Sequence, residues 1–257
     1  MIVKDVVTIL DNLYPIENAS EFDIGKIGLT IGDENIKLKK ILLALDLTEE
    51  VANEAINLNA NLIITHHPFI FNPITKIMFT SKIGRILNLM FKHQISLYSI
   101  HTNLDVGING VNDTLANILG LENIAGKNER DSFLRTGFIT KQTLGEFAEY
   151  VKRSFNLKGV RVAGDLNKQI EKVGIVGGSG SFEIYNAINE NCDCLITGEV
   201  KLHHAQDALF HNLCMIEVNH GVEKFVLKSI QVELEKRLEG KIQAHISKIN
   251  TDPLVFL

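Results

Sequence analysis

The chain has 257 residues, a formal net charge of −5 at pH 7, 45% hydrophobic residues and 22% charged residues. This composition is typical of a globular protein, and no apolar run approaches the roughly 20 residues that a membrane span needs. The 26 Lys and Arg residues are spread along the chain, which argues against a binding surface for duplex nucleic acid. We therefore expect a soluble protein with no membrane contact, built as one large domain or two small ones.

The cysteines and the first residues bear on the cellular compartment. Cys192, Cys194 and Cys214 are too few, and odd in number, for a disulfide framework, which favours a reducing environment. The opening MIVKDVVTILDNLY has the pattern of an amphipathic helix and not that of an export signal. Both observations predict a cytoplasmic protein. No second ligand pair stands at zinc-finger spacing, so we expect the CDC pair to be packed rather than metal-bound.

The first predicted elements are a helix over 3–14 and then a strand–helix–strand unit. The apolar run 41–45 predicts a strand, Thr48 and the acidic residues after it predict the start of a helix, and 62–64 predicts a second strand. That second strand ends at two adjacent histidines, His66 and His67. A lone histidine beside an apolar run is usually a core or surface residue. Two in succession can converge only where a strand ends, because a strand directs successive side chains to opposite faces.

The same unit recurs 132 residues later, where 173–199 matches 41–67 in plan and in length without a gap. In both copies a helix and then a strand that ends in a histidine follow the unit. A repeat of this length, with the same element order, indicates an internal duplication. The identical pairs are Ala55 and Ala187, Ile56 and Ile188, Asn57 and Asn189, Asn59 and Asn191, Ile64 and Ile196, and Thr65 and Thr197.

Strands that alternate with helices indicate an α/β fold, here as two similar α/β lobes with sheets covered by helices. We expect the first lobe to span 1–125 and the second 126–257, with no inserted third domain and with the two lobes packed firmly together. The further elements behind this prediction are a strand over 133–140, a helix over 144–155, a final helix over 223–238 and a strand within IQAHISK.

Histidines and carboxylates gather at the ends of four predicted strands, which is where α/β sheets bind ligands. A metal centre needs neutral nitrogen and anionic oxygen donors aimed at one point. Five candidates are more than one open catalytic zinc site takes, so we predict a dinuclear centre in the cleft between the lobes. The absence of thiolates from the set leaves zinc, iron and manganese open. The candidate ligands are His66, His67, Asp105, His220 and Glu223.

Several motifs resemble those of the YbgI-like family, also called Nif-three-like proteins or type 2 GTP cyclohydrolase I homologues. They are ITHHPFIF, HTNLD followed by GVND, VGGSGS, ITGE, NHGVE and TDPLVF. The resemblance covers nearly the whole chain, in the family's short form. It implies that His66, His67, Asp105, His220 and Glu223 bind two divalent metal ions per chain. It also implies a ring-shaped homohexamer, a trimer of dimers. One departure is that two residues separate His220 from Glu223, where the family usually has three.

His101 and the VGGSGS loop each have two interpretations. His101 could orient a group beside the metal or shuttle a proton, or it could be a strand-end histidine bonded to backbone. The loop could hold a substrate phosphate on its free N–H groups. A tight turn between strand and helix explains its glycines equally well, and the loop lacks the P-loop lysine. The candidate phosphate-binding residues are Gly177, Gly178, Ser179 and Gly180.

His203 and His204 form a second adjacent pair, on a predicted helix. Neighbouring helical side chains point about 100° apart, so the two are poorly placed to bind one ion together. We interpret them as surface or supporting residues rather than as ligands.

Two functions of different kinds remain open. The first is a metal-dependent hydrolase acting on a small molecule, nucleotide-like or phosphorylated, because paired metal ions activate water and suit phosphate ester cleavage. The family resemblance suggests GTP cyclohydrolase chemistry, although no residue in the chain can be assigned to guanine recognition. The second is a metal-binding or partner-binding regulatory ring protein without catalysis.

Overall fold

The structure is a computed structural model and describes residues 1–255. Phe256, the last residue of the TDPLVF motif, lies outside the described residues. Within them the chain forms eleven strands. These are β1 Gly28–Ile31, β2 Ile41–Ala44, β3 Leu62–Thr65, β4 Ser96–Ser99, β5 Glu122–Ala125, β6 Arg135–Thr143, β7 Arg161–Ala163, β8 Gln169–Val176, β9 Cys194–Thr197, β10 Cys214–Glu217 and β11 Ala244–Ile246.

The helices alternate with these strands over most of the described chain, as expected for an α/β fold. Short 3₁₀ helices cover Ile16–Asn18, Glu21–Asp23, Gly180–Glu183 and His220–Phe225. The α-helices are α1 Val3–Leu13, α2 Glu49–Leu58, α3 Lys82–Lys92, α4 Thr102–Asp105, α5 Val111–Ile118, α6 Leu144–Ser154, α7 Ile184–Asn189, α8 Leu202–Phe210 and α9 Val226–Arg237.

The first compact unit comprises Met1–Ile108 and Leu227–Thr251. Its sheet has the order β1-β4-β3-β2-β11, in which β1 alone runs antiparallel to its neighbour. The three central strands β2, β3 and β4 are buried along their whole length, because helices cover parallel sheets. Thr48 caps α2 by accepting a hydrogen bond from Val51 N, as its place before two glutamates predicts.

The second unit comprises Asn109–Val226 and the C-terminal residues from Asp252. Its sheet has the order β5-β6-β8-β9-β10-β7. The strands β8, β9 and β10 are parallel, and β5, β6 and β7 pair antiparallel with their neighbours. Thr143 caps α6 through a reciprocal capping box with Glu146. The α/β class and the helix-covered sheets predicted from the sequence are therefore confirmed.

The repeat is longer than the sequence comparison indicated. In the first unit the order is α1, β1, β2, α2, β3, α3, β4, and in the second it is α6, β7, β8, α7, β9, α8, β10. In both sheets the edge strand that precedes the repeat, β1 or β7, pairs antiparallel with the last strand of the repeat. A helix and an edge strand thus belong to each copy, although their sequences show no obvious similarity.

The unit boundaries differ from the expected division at residue 125. Residues 109–125 belong to the second unit, and 227–251 return to the first. The reason for the return is β11, which pairs parallel with β2, from Ala244 opposite Ile41 to Ile246 opposite Leu43. Such pairing between distant segments has no signal in local sequence pattern. The division at residue 125 stays a proposal about the evolutionary copies.

Among the described residues, no helix combines the length and the apolar character needed to cross a membrane.

Candidate metal centre

Three histidines meet at the strand ends of the first unit. His66 and His67 directly follow β3, and His101 lies just beyond β4, its parallel neighbour. The ring centroids are 4.7 Å apart for His66 and His67, 5.4 Å for His66 and His101, and 5.8 Å for His67 and His101. One ligand nitrogen from each ring lies within 4.8 Å of the other two, so the three residues could hold a metal ion.

Each of these histidines is anchored through Nδ1. An imidazole that donates Nδ1–H to an oxygen has Nε2 as its ligand atom, and such a partner also fixes the orientation of the ring. The Nε2 atoms are therefore the donors that this cluster presents. The contacts are His66 Nδ1 to the Ile100 carbonyl oxygen at 3.0 Å, His67 Nδ1 to Asp46 Oδ1 at 2.7 Å, and His101 Nδ1 to Asp23 Oδ2 at 2.8 Å.

The two anchoring carboxylates are themselves held by other residues. Burial raises the pKa of Asp46, but hydrogen bonds from His67 and Thr251 outweigh it and hold the pKa below its ordinary value. Burial likewise raises the pKa of Asp23, and the bonds from His101 and Thr102 bring it below its ordinary value. Both groups therefore remain carboxylates that accept the Nδ1 hydrogen bond of the neighbouring imidazole.

Asp105 joins the same cluster from α4. This short helix follows His101 directly, so one helical turn brings the aspartate back to the strand ends. Its Oδ1 lies 3.6 Å from His66 Nε2. The structure thus places both His67 and Asp105 next to His66, and it adds His101 to the same group as a further donor.

A cavity of about 320 Å³ opens beside this cluster, within the first unit. His67 and Asp46 line one part of it, and Phe69, Lys82 and Thr251 line others. The cavity gives a small molecule room next to the histidines, and Lys82 gives it a positive charge.

The second unit carries its own pair of donors at a strand end. His220 and Glu223 follow β10, with 3.3 Å between His220 Nε2 and Glu223 Oε2. His220 Nδ1 lies 2.6 Å from Glu199 Oε1, so this histidine too is anchored by a carboxylate. A hydrogen bond from Ser179 lowers the pKa of Glu199, and the bond from His220 lowers it further.

A 3₁₀ helix explains how two intervening residues suffice between His220 and Glu223. Residues three apart eclipse each other on a 3₁₀ helix, since it has 3.0 residues per turn. His220 opens such a helix and Glu223 lies one turn later. The final helix predicted over 223–238 therefore begins within this 3₁₀ helix, and its α-helical part begins at Val226.

Asn219, immediately before His220, has an unusual backbone conformation with φ of 83°. Its side chain accepts a hydrogen bond from Gly221 N at 2.7 Å and donates one to Asp252 Oδ2 at 2.8 Å. A non-glycine residue with positive φ persists where its surroundings hold it, and such residues concentrate at functional sites. Asp252 belongs to the TDPLVF motif, so this motif holds the turn that carries His220.

The donor sets of both units suit divalent transition metals. Imidazole nitrogen with carboxylate oxygen fits zinc, iron and manganese. Carboxylate partners on Nδ1 are the usual support of metal-bound histidines. The residues present therefore fit a metal ion, and this agreement rests on the donor chemistry of each cluster by itself.

Comparison with known proteins identifies the family of the chain. A family model described as Duf34/NIF3 (NGG1p interacting factor 3) matches residues 1–253. The chain belongs to the DUF34/NIF3 family. The family resemblance inferred from the motifs is thereby confirmed.

Three relatives show how far the likeness extends. The DUF34/NIF3 chain is 36% identical over 264 residues to a GTP cyclohydrolase 1 type 2 homolog of Clostridium perfringens, which covers 100% of both chains. A protein of the same name from Halalkalibacterium halodurans is 28% identical in an alignment of 368 residues, covering 99% of this chain and 98% of that one. The crystal structure of a Bacillus cereus protein related to NIF3 superposes with a TM-score of 0.93 at 28% identity, covering 100% and 99%.

Two backbone N–H groups of the VGGSGS loop in this DUF34/NIF3 protein already form hydrogen bonds within the protein. Gly177 N donates to Asn112 Oδ1 at 2.7 Å, and Gly180 N donates to Thr197 Oγ1 at 3.0 Å. Gly178 has φ of +54°, and a Cβ atom there would lie 2.6 Å from Glu223 Oε1. These contacts favour the interpretation that the glycines form a tight turn against the carboxylate. Phosphate binding stays a prediction without structural support.

The second histidine pair and the cysteines lie outside both clusters. His204 Nδ1 is 2.9 Å from Ser181 Oγ, which agrees with a supporting role for this residue. Cys194 and Cys214 face each other in the register of β9 and β10. All three thiols are buried, and burial raises the pKa of Cys194 and of Cys214 above the ordinary value. Protonated, buried thiols are inert packing residues.

Sequence reasoning missed the three carboxylates that anchor the histidines. Asp46 had a signal, because it lies just beyond β2 at the same sheet edge as His67. Glu199 had one too, since it occupies the place in the repeat that His67 occupies in the first copy. Asp23 had none, because it lies 78 residues before the histidine that it contacts.

Proposed function

We propose that this protein is a metal-dependent hydrolase with a dinuclear centre, acting on a small nucleotide-like or phosphorylated molecule. The observation that carries the proposal is the convergence of His66, His67 and His101, each held through Nδ1 with Nε2 presented as donor. An oxygen partner on the second ring nitrogen is the usual support of a metal-bound histidine.

The proposed ligands come from both units. The first unit would supply His66, His67 and Asp105, with His101 as an additional donor, and the second would supply His220 and Glu223. This set exceeds the three protein ligands of a single open catalytic site and suits two divalent ions, with zinc, iron and manganese all compatible. Family resemblance supports the combination, because the matching motifs occur together in the family.

Two divalent ions, held by these residues, would supply Lewis acidity and would make water a better nucleophile near neutral pH. The chain's own residues do the rest. Asp46 and Asp23 orient His67 and His101, since each accepts a hydrogen bond from Nδ1. His101 Nε2 is also the atom that would take up or release a proton wherever it is not a ligand.

GTP is the first substrate to test, because relatives carry the name GTP cyclohydrolase 1 type 2 homolog. The metal-loaded protein would be incubated with GTP, and with a panel of nucleotides and phosphoesters, while formate and phosphate are measured. We expect turnover that disappears in His66→Ala and His67→Ala. Equal turnover in the wild type and in both variants would refute the proposal.

A metal-binding or partner-binding protein without catalysis is the outcome to expect if the protein binds metal but no member of the panel is turned over. Elemental analysis of the purified protein decides the first step, since two ions per chain support a dinuclear centre. The homohexamer and the cytoplasmic location are part of the same proposal. Light scattering coupled to size-exclusion chromatography would test the assembly.

A further inference from the structure

Two exposed phenylalanine rings lie beside the histidine cluster of the first unit. Phe22 is 53% exposed and Phe71 is 43% exposed, although both belong to a large apolar residue type. Their centroids are 6.4 Å apart and the rings are tilted by 52°. The two rings therefore form adjoining walls rather than a closed stack, and both keep surface that a ligand could cover.

Both rings contact His101. The centroid of Phe22 lies 6.3 Å from that of His101 at an interplanar angle of 74°, and the centroid of Phe71 lies 6.2 Å away at 89°. Their position follows from the chain itself. Phe22 precedes Asp23, which anchors His101, and Phe71 comes four residues after His67. The same local turns that position the histidine cluster thus place the aromatic rings next to it.

A lysine completes this group. Lys26 Nζ lies 3.8 Å from the centroid of Phe71 and 5.7 Å from that of Phe22. A backbone hydrogen bond from Lys26 N to the Asp23 carbonyl oxygen, at 2.9 Å, closes the turn that carries it. An ammonium group over an aromatic face is attracted by the ring quadrupole, which holds the charge close to the rings.

We infer that Phe22, Phe71 and Lys26 form a recognition platform for a planar heteroaromatic ring that carries an anionic group. Aromatic rings bind bases by stacking, and an adjacent cation binds phosphate. The platform indicates the substrate class of the proposed hydrolase. It rests on that proposed function, because both rings contact His101 of the histidine cluster. The ligand class that fits both features is a nucleotide.

Equilibrium binding tests the platform without requiring turnover. Binding of GTP and ATP to the metal-loaded protein would be measured by calorimetry, alongside guanosine, which lacks the anion, and inorganic triphosphate, which lacks the ring. We expect both nucleotides to bind more tightly than either fragment. Formate and phosphate release would be followed in the same samples.

The aromatic contribution has a matched control in the same loop. Phe71→Ala should weaken GTP binding by roughly 5- to 150-fold, the range for the loss of one base–aromatic stack, and Phe71→Tyr should restore it. Phe79, which is 83% exposed, serves as the control, and Phe79→Ala should leave binding unchanged. Thermal unfolding of each variant would show that it is folded.

The charge contribution is tested on the lysine. Lys26→Gln should weaken GTP binding by roughly 2- to 5-fold, the scale of an exposed ion pair, and should not change guanosine binding. Lys76→Gln, at an exposed lysine of the neighbouring loop, is the control.

The outcomes separate the two proposals. If GTP binds through Phe71 and Lys26 but is not turned over, the platform stands and the hydrolase fails. Turnover of GTP with an unchanged Michaelis constant in Phe71→Ala and Lys26→Gln overturns the platform alone. Failure of both GTP and ATP to bind, or binding that is equally weakened by Phe79→Ala, also overturns it.

Discussion

The strand ends of the two units share a geometry but differ in chemistry. In each unit the third parallel strand, β4 or β10, is followed by a short helical turn that carries a carboxylate, Asp105 or Glu223, six residues after the strand ends. After the second parallel strand, β3 or β9, the residues of the two copies differ. The first unit has His66 and His67 there, whereas the second has Gly198 and Glu199.

The divergence shows how one ancestral position can take two roles. His67 belongs to a group of histidines that could hold a metal ion, and it is anchored by Asp46. Its counterpart Glu199 anchors His220 instead. The first unit therefore presents three histidines and a carboxylate, and the second presents one histidine and one carboxylate. Duplication kept the fold of both sheets and specialised their ends.

The largest effect is expected from removing a donor of the richer cluster. His66→Ala should lower metal affinity by more than about 100-fold, since loss of a supporting partner alone typically costs 10- to 100-fold. Elemental analysis after dialysis against a graded chelator would measure it. His93→Ala, at an exposed histidine after α3, is the control. Full metal content in His66→Ala would show that His66 is not needed for metal binding and would contradict the proposed role of the first unit.

The anchoring carboxylates compare the two units directly. Asp46→Asn and Glu199→Gln keep the size of each side chain but remove the charge that fixes the neighbouring imidazole. We expect each to weaken metal binding by about 10- to 100-fold in chelator competition. An effect confined to Asp46→Asn would mean that the first cluster binds metal without help from His220.

The two units also differ in backbone conformation after the third parallel strand. Asn219 has a positive φ of 83°, whereas His101, at the matching place in the first unit, has a φ of −119°. Asn219→Ala should lower the free energy of unfolding by about 1–3 kcal/mol, since alanine tolerates positive φ poorly and loses both side-chain bonds. Urea denaturation of metal-free protein would measure it. Asn219→Gly accepts the same φ, so it should cost less; an equal cost would assign the effect to the hydrogen bonds.

The smallest expected effect on the free energy of unfolding concerns the turn after the first parallel strand of each repeat, β2 or β8. Thr48 caps α2, whereas its counterpart Gly180 begins a 3₁₀ helix where a Cβ would lie 2.4 Å from Val176 Cγ1. Thr48→Ala should cost about 1 kcal/mol of unfolding free energy, and Thr48→Ser should cost little. Urea denaturation would again serve, and a cost shared by both variants would argue against the cap.

Much of the site followed from the positions of residues along predicted strands. The pair His66 and His67 stood out because an apolar run ended there, and Asp105 because it followed the next strand's end. The spacing of His220 and Glu223 was harder to interpret. Its solution, a 3₁₀ turn, depends on the strained Asn219 and on Asp252, which local propensity does not reveal.

The sequence by itself predicted the α/β class, the strands and helices of the two repeated units and the residues at their strand ends, but not the edge strands β1, β5 and β7. These features depend on hydrophobic period, helix caps and turn residues, all of which act over a few neighbours. Only the tertiary structure decided that β11 joins the first sheet and that Asp23 anchors His101. Both contacts join segments far apart in the chain, and their partners are selected by the packed sheet as a whole rather than by any local pattern.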